Sequence, residues 1–426
     1  MNDTSLAVEY QPAREFALEL DRNDRLAHYR EQYHLPVGPD GEPWIYLTGN
    51  SLGLQPKGTR DMIEGELRDW AELGVEGHFE AQHPWYSYHE MFREPAARLV
   101  GGVPGEVVVM NTLTTNLHLM MVSFYRPVPG RFKILVEDGA FPSDQYAVHS
   151  QARFHGYDPA EAIVALKPRE GEDTLRTEDI EAVLAERGHE IALVMLGGVN
   201  YYTGQAFDMK RITAAGHAAG CIVGYDLAHA AGNLVLRLHD WDVDFAVWCT
   251  YKYLNSGPGG VSGCFVHERH AFNPELPRFA GWWGNDPETR FQMHTEFIPQ
   301  RGAAGWQLSN AQILPMAAHK AALDLFDAAG MGNLREKSEL LTGYLEFLIN
   351  QIPGDRYNII TPRTPPDRGC QLSIRIDGDA RGMAGNLKQK GVIVDFRHPD
   401  VIRVAPVPMY NTFLDVWRFA EMLRNA

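Results

Sequence analysis

Between about residue 105 and residue 270, apolar residues come in short runs bounded by turns. They are VVVM (107–110), FKILVE (132–137), IALVML (191–196), CIVGYDL (221–227), FAVWC (245–249) and GCFVH (263–267). Runs that are apolar on both faces suit strands covered by helices on each side. Helical segments lie between them. The clearest is DMKRITAAGHAAG (208–220), with Asp208 placed to cap its start and Gly220 just past its end. This alternation predicts an α/β fold with a mostly parallel sheet.

The flanks differ. Residues 1–59 read as a polar N-terminal segment, partly helical and interrupted by the turn-rich VGPDGEP. Residues 60–310 form the large α/β domain. It opens with a helix over 60–73 whose apolar face is Met62, Ile63, Leu67, Trp70 and Ala71. Residues 311–426 supply a linking helix and a small C-terminal α+β domain. Pro315 kinks the linking helix or sits in its first turn, and a second helix over 333–352 carries Leu341, Leu345, Leu348 and Ile352 on one face. Strands are expected near 370–377, 392–397 and 401–407, with a helix near 379–390 closed by Gly391 and a last one from about 411. A cleft between large and small domains is a usual place for a ligand.

Composition narrows the function. A formal net charge of -16, from Lys+Arg 39 against Asp+Glu 55, argues against nucleic acid or an anionic membrane as partner, since both require basic patches. Four cysteines without a CxxC pair imply no disulfide framework and fit a reducing compartment. The start MNDTSLAVEYQ has no basic and apolar leader, and no run approaches the ~18 apolar residues that span a bilayer. A soluble cytoplasmic protein is expected.

The chemistry begins with Lys252, which follows a buried strand in WCTYKYLNSGPGG. A lysine at a strand end, partly removed from water, becomes a better nucleophile and can form a Schiff base with an aldehyde cofactor. Asp226 ends the preceding strand, with His229 just beyond. A carboxylate there can pair with a pyridinium nitrogen or, equally, cap a helix. Successive strand ends of a parallel sheet point to one edge, where ligands collect. NTLTTNLH brings Leu113 and Thr114 to a helix start, a ready phosphate cradle. Phe141 in GAFPSDQYA directly follows another strand, where an aromatic can stack on a ring, with Ser143 and Asp144 as polar neighbours.

These residues carry a resemblance. The chain resembles the kynureninases, members of the aminotransferase-like fold type I group of pyridoxal 5′-phosphate (PLP) enzymes. The matching segments are IYLTGNSLGLQP, NTLTTNLH, GAFPSDQYA, YYTGQ, YDLAHAAGN, WCTYKYLNSGPGG, GWWG and IRVAPVPMYN, in order from residue 45 to residue 411. The resemblance implies a seven-stranded, mostly parallel sheet and a homodimer with active sites at the subunit interface. It implies that Lys252 is the Schiff-base lysine and proton carrier, and that Asp226 pairs with the pyridine nitrogen while Phe141 stacks on the ring. Leu113, Thr114, Pro142, Ser143, Asp144, His229 and Tyr251 complete the cofactor site, Tyr251 also serving as a proton relay. Trp282 and Asn310 are implied as contacts presented across the dimer interface. Arg403 is implied to clamp the substrate α-carboxylate, a task suited to a bidentate guanidinium. His78, Ser309 and Asn310 are placed around an aryl group, and no metal is expected. Gly197 stands where some members carry a serine and is left out of the site.

The implied reaction is hydrolytic Cβ–Cγ cleavage of L-kynurenine or 3-hydroxy-L-kynurenine. Rival readings are cysteine desulfuration, which needs a mobile nucleophilic cysteine, and a ligand-binding protein without turnover. A nicotinamide dehydrogenase is weaker, because no GxGxxG joins a strand to a helix near the start.

Overall fold

The computed structural model describes residues 9–39 and 41–425. Residues 1–8, where the start was read for a leader, lie outside the described residues, as does Asp40 in the VGPDGEP turn. The strands in chain order are β1 (Ile45–Tyr46), β2 (Val107–Met110), β3 (Lys133–Glu137), β4 (Ile163–Leu166), β5 (Ile191–Gly197), β6 (Ile222–Asp226), β7 (Phe245–Cys249) and β8 (Ser262–Val266), followed by β9 (Tyr357–Ile359), β10 (Leu372–Ile376), β11 (Val392–Ile393), β12 (Asp395–Arg397) and β13 (Val401–Val404).

A seven-stranded sheet runs in the order β2-β8-β7-β6-β5-β3-β4. β8 is antiparallel to both its neighbours, and β7, β6, β5, β3 and β4 are parallel. All six apolar runs are strands. The seventh, β4, escapes the pattern because IVAL continues directly from the short helix Pro159–Ala162 without a turn residue between them. Alternate side chains enter two cores. Val107, Val109, Ala246 and Trp248 face one, and Val108, Met110, Phe245 and Val247 the other, which is why these strands are apolar at every position. Gly263 on β8 leaves room for its neighbour, since a Cβ there would sit 2.0 Å from the Trp248 indole.

A third core gathers Leu341, Leu345 and Leu348 of the helix Met331–Asn350 with residues of β10 and β13. It also takes in Ala17, Ile45 and Leu47 of the N-terminal segment, and β1 pairs in parallel with β11. The first segment of the chain is thus shared between the two units, since its Leu26, Tyr29, Tyr33 and Leu54 join the core that holds Val107 and Trp248. In the C-terminal unit β12-β13-β10-β9 form an antiparallel sheet. The single strand expected over 392–397 is two short strands in different sheets, Ile352 falls beyond its helix, and β9 was not expected. Pro315 lies in the first turn of the helix Ile313–Ala329.

The helix Thr59–Leu73 corrects one expectation. Leu67 and Trp70 are exposed, whereas Glu66 is buried. The carboxylate is tolerated there because the Trp85 indole N–H and the Tyr88 hydroxyl donate to it at 2.8 and 2.9 Å. Among the described residues no helix is long and apolar enough to cross a membrane.

Candidate active site

The carboxyl ends of β3, β5 and β6 deliver Glu137, Gly197 and Asp226 to one edge of the large sheet. The turn after β7 adds Tyr251 and Lys252. These residues line a cleft together with Leu113, Thr114, Phe141, Ser143, Asp144 and His229. The turn that holds Lys252 is closed by Asn255, whose N–H donates to the Lys252 carbonyl at 3.0 Å from a left-handed φ of 57°, a conformation asparagine tolerates. Gly53 in the N-terminal TGNSLGL stretch packs against this turn, and a Cβ there would meet the Lys252 carbonyl oxygen at 2.4 Å. The lysine turn is therefore closed from within by Asn255 and backed by the distant Gly53.

Lys252 Nζ lies 3.1 Å from His229 Nε2 and 5.6 Å from the centre of the Phe141 ring. Asp226 accepts from the Ala228 N–H at 2.7 Å, so it also serves the turn beyond its strand. Thr114 and Ser143 join their hydroxyls at 2.9 Å, tying the start of the helix Leu113–Phe124 to the start of Pro142–Phe154. No side chain caps the first of these helices, which leaves its first-turn N–H groups for an anion.

The cleft holds three buried carboxyls, and all are pushed toward their neutral forms. Burial raises Glu137 to about 7. Burial, and then the nearby Asp226 charge, raises Asp144 well above the carboxylate range, and burial raises Asp226. Burial, with Lys252 close by, holds His229 well below its usual value. Tyr251 is raised by burial and by its neighbour Cys249. Asp144 Oδ1, Glu137 Oε2 and His229 Nδ1 are buried without a hydrogen-bond partner. Such a concentration of displaced, unsatisfied groups in one cleft marks a functional site.

Leu113, Thr114, Phe141, Ser143, Asp144, Asp226, His229, Tyr251 and Lys252 are brought together as the sequence suggested. Pro142 opens its helix but does not line the cleft. Trp282, Ser309 and Asn310 are exposed and His78 is half-buried, and none lines the cleft of its own chain. Trp282 borders a separate surface depression with Asn285 and Arg290. Arg403, which without the resemblance would be a surface-strand charge, is 1% exposed. Its guanidinium donates to Asp395 and to the Tyr201 carbonyl.

Glu137, Gly197 and Tyr201 line the cleft but were not chosen from the sequence. Glu137 ends a buried strand exactly as Asp226 does, and the same rule applied to FKILVE would have found it. Gly197, left out of the expected site, lines the cleft. A Cβ at that position would lie 3.3 Å from Glu137 Oε1, so the missing side chain is the space beside this carboxylate.

Among the described residues one other cluster brings possible ligand atoms together. Glu106, His239 and His267 have theirs within 4.8 Å of one another. Glu106, however, already accepts from the N–H groups of Val103 and Glu268 and from His239, and hydrogen bonding accounts for the arrangement. The four cysteines are buried and unpaired.

Residues 334–423 match the family model described as "Kynureninase C-terminal domain". The chain is 61% identical to the kynureninase of Myxococcus xanthus, the match covering 98% of both chains. It is 57% identical to that of Koribacter versatilis, over 97% of this chain and 98% of the other. With the kynureninase of the animal Nematostella vectensis it shares 50% identity over 97% of this chain and 94% of that one. Among solved structures, a C-DES mutant with glycine covalently linked to its PLP cofactor superposes with a TM-score of 0.77 at 18% identity, covering 93% of this chain and 99% of that one. An apo cysteine desulfurase from Thermococcus onnurineus gives 0.76 at 16% identity, covering 94% and 98%. The fold is that of the fold type I enzymes.

Proposed function

The chain belongs to the kynureninase family, and on that premise we propose that its sheet-edge cleft hydrolyses L-kynurenine, or its 3-hydroxy derivative, to the anthranilate and L-alanine, using PLP. The observation that carries this reading is the convergence of Lys252 and Asp226, from two adjacent strand ends, on one cleft that also presents Phe141 and an uncapped helix start. The cleft fits the cofactor. It offers an amine for the aldehyde, a carboxylate for the ring nitrogen, free amides for the phosphate, and buried polar atoms that lack partners.

When bound, PLP supplies an electron sink for the charge left at the substrate Cα when its proton is removed. Asp226 would keep the ring nitrogen protonated and Phe141 would lie against the ring. The amides of Leu113 and Thr114, with Tyr251, would hold the phosphate. Lys252 Nζ would take a proton from the substrate Cα and give one back once cleavage is complete. His229, kept neutral by burial and by Lys252, accepts from that amine without adding charge. Tyr251, kept neutral by burial, would donate a hydrogen bond to the γ-carbonyl oxygen as water adds there. When the Cβ–Cγ bond breaks, the γ-carbon keeps the water oxygen as the new carboxyl group, and a proton given up by the diol goes to Cβ. Arg403 takes the substrate α-carboxylate.

The working form is a cytoplasmic homodimer. Trp282 and Asn310 of one copy complete the cofactor site of the other, and His78, Ser309 and Asn310 surround the aryl group. Polar neighbours of this kind favour a ring hydroxyl only where they hydrogen-bond it.

The test is release of fluorescent anthranilate from L-kynurenine by purified holoenzyme, beside Lys252→Ala. Turnover is expected only with the intact lysine, together with the visible absorbance of lysine-bound cofactor. If that absorbance forms but neither L-kynurenine nor 3-hydroxy-L-kynurenine is cleaved, the substrate assignment is wrong. If added PLP gives no such absorbance, the Lys252 assignment falls.

A further inference from the structure

The charges behind Arg403 do not cancel. Arg403 on β13 is the register partner of Asp395 on β12. Its guanidinium donates to Asp395 Oδ2 and, at 2.7 Å, to the Tyr201 carbonyl. Arg397, two residues along β12 from Asp395 and so on the same face, donates to that same Oδ2 at 3.0 Å. One carboxylate is shared by two guanidiniums, leaving one net positive charge. The Nε–H groups of both arginines are buried without a partner, so donors remain beside the shared acid.

Neither arginine lines the cleft itself; the cluster reaches it through Tyr201. Tyr201, whose carbonyl Arg403 holds, lines the cleft, and its ring lies 5.9 Å from the Arg403 guanidinium. Both arginines, after burial and Lys252, help hold His229 below its usual value, so their charge is felt beside the lysine. Arg403 is 1% exposed, while the Arg397 side chain keeps 35% of its surface. A buried guanidinium closed against a single carboxylate is a neutral pair, which an incoming anion would have to break.

We propose that Arg397 is a positioning residue for substrate binding: by sharing Asp395 it keeps that acid from neutralising Arg403, so that Arg403 presents a net charge to an amino-acid carboxylate. The proposal rests on the assignment of Arg403 as the α-carboxylate clamp. Asp395 fixes where the Arg403 guanidinium stands, and Arg397 decides how much of its charge is left.

Steady-state kinetics of the holoenzyme on L-kynurenine test this, with the dissociation constant of the product L-alanine, read from the cofactor absorbance, as a second measure. Arg397→Gln is expected to raise KM and the L-alanine constant about tenfold, the worth of one partly desolvated charge-assisted contact, with the change falling on KM rather than kcat. Adding Asp395→Asn to Arg397→Gln restores the net charge on Arg403 and is expected to bring both constants most of the way back. Arg397→Lys keeps the charge and stays near the parent. If Arg397→Gln leaves KM where it was while Arg403→Gln raises it, the proposal is overturned. A double variant that binds more weakly than Arg397→Gln alone also overturns it, because a merely structural cluster would lose more with each change. If Arg403→Gln itself moves neither constant, the clamp assignment fails, and the proposal falls with its premise.

Discussion

Asp226 and Asp244 stand at opposite edges of the same sheet: Asp226 closes β6 at the cleft, and Asp244 immediately precedes β7 at the other end. Both are buried acids with histidines and a cation close by. At Asp244 every lone pair is used. Oδ2 accepts from His217 at 2.8 Å and the Val223 N–H at 2.7 Å, and Oδ1 from His270 at 2.7 Å and Arg269 at 2.5 Å. Burial works to raise this carboxyl, but those bonds outweigh it and hold the group well below the usual range. Around Asp226 the balance is reversed, with Asp144, Glu137 and His229 each leaving a buried atom unpartnered. The same residue types build scaffold where their hydrogen bonds are complete and a reactive site where they are not.

The largest expected effect lies on the cleft side. Asp226→Asn should lower kcat about a thousandfold, roughly 4 kcal/mol of barrier, because the cofactor ring loses the partner that keeps it protonated. Its thermal midpoint should hold or rise, since a buried acid that burial has already pushed toward neutrality is replaced by an amide. Asp244→Asn should do the opposite. It leaves Arg269 and two histidines facing a weaker acceptor and costs about 3 kcal/mol of stability, with kcat of the folded protein near the parent value. Denaturant midpoints and kcat measured on both variants decide the matter. Equal losses of stability would erase the distinction between the two edges.

Glu137→Gln sharpens the contrast with an effect of opposite sign. The folded carboxyl titrates at about 7, against an ordinary value of 4.5, because it is buried. The folded state therefore binds the extra proton between those values, and stability falls as pH rises through that window. Glutamine cannot ionise, so the cofactor-free variant should be about 3 kcal/mol more stable than the parent at pH 8 and equal to it near pH 4. A variant less stable than the parent at pH 8 would mean that this carboxylate is bonded as thoroughly as Asp244. Such a gain on removing a site residue is the usual stability–activity exchange.

How much of this was legible in the sequence follows from where the constraint lies. Strands buried on both faces must be apolar throughout, so six of the seven strands of the large sheet, and with them Lys252 and Asp226 at one edge, could be read directly. β4 could not, because four residues that continue from a helical turn have no period of their own. Glu66 was missed because its burial depends on donors from Trp85 and Tyr88, which no local pattern announces. Arg403 became a candidate only through the family resemblance, since its burial is set by β12 and Tyr201. Trp282 and Asn310 were chosen the same way, His78 and Ser309 as polar neighbours for the aryl group, and a single chain leaves all four outside its cleft.

The smallest effect tests the scaffold side by pH alone. The hydrogen bond to Asp244 raises His217 above its ordinary value of 6.5. A histidine with a raised folded pKa contributes stability that is fully present below its unfolded value and is lost as pH rises through the folded one. Asp244, held low, contributes stability above its ordinary 3.8 that is lost only in strong acid, so the two groups act in separate windows. His217→Gln should remove about 1 kcal/mol of stability at pH 6 and almost none at pH 9, which urea midpoints across that range would resolve. Glu137 also lowers stability with rising pH, but mostly below neutrality, so the His217 step should survive in Glu137→Gln. If the loss of stability above pH 6.5 vanished in Glu137→Gln and persisted in His217→Gln, the titrating group would belong to the cleft, and the two edges would not divide as their hydrogen bonds imply.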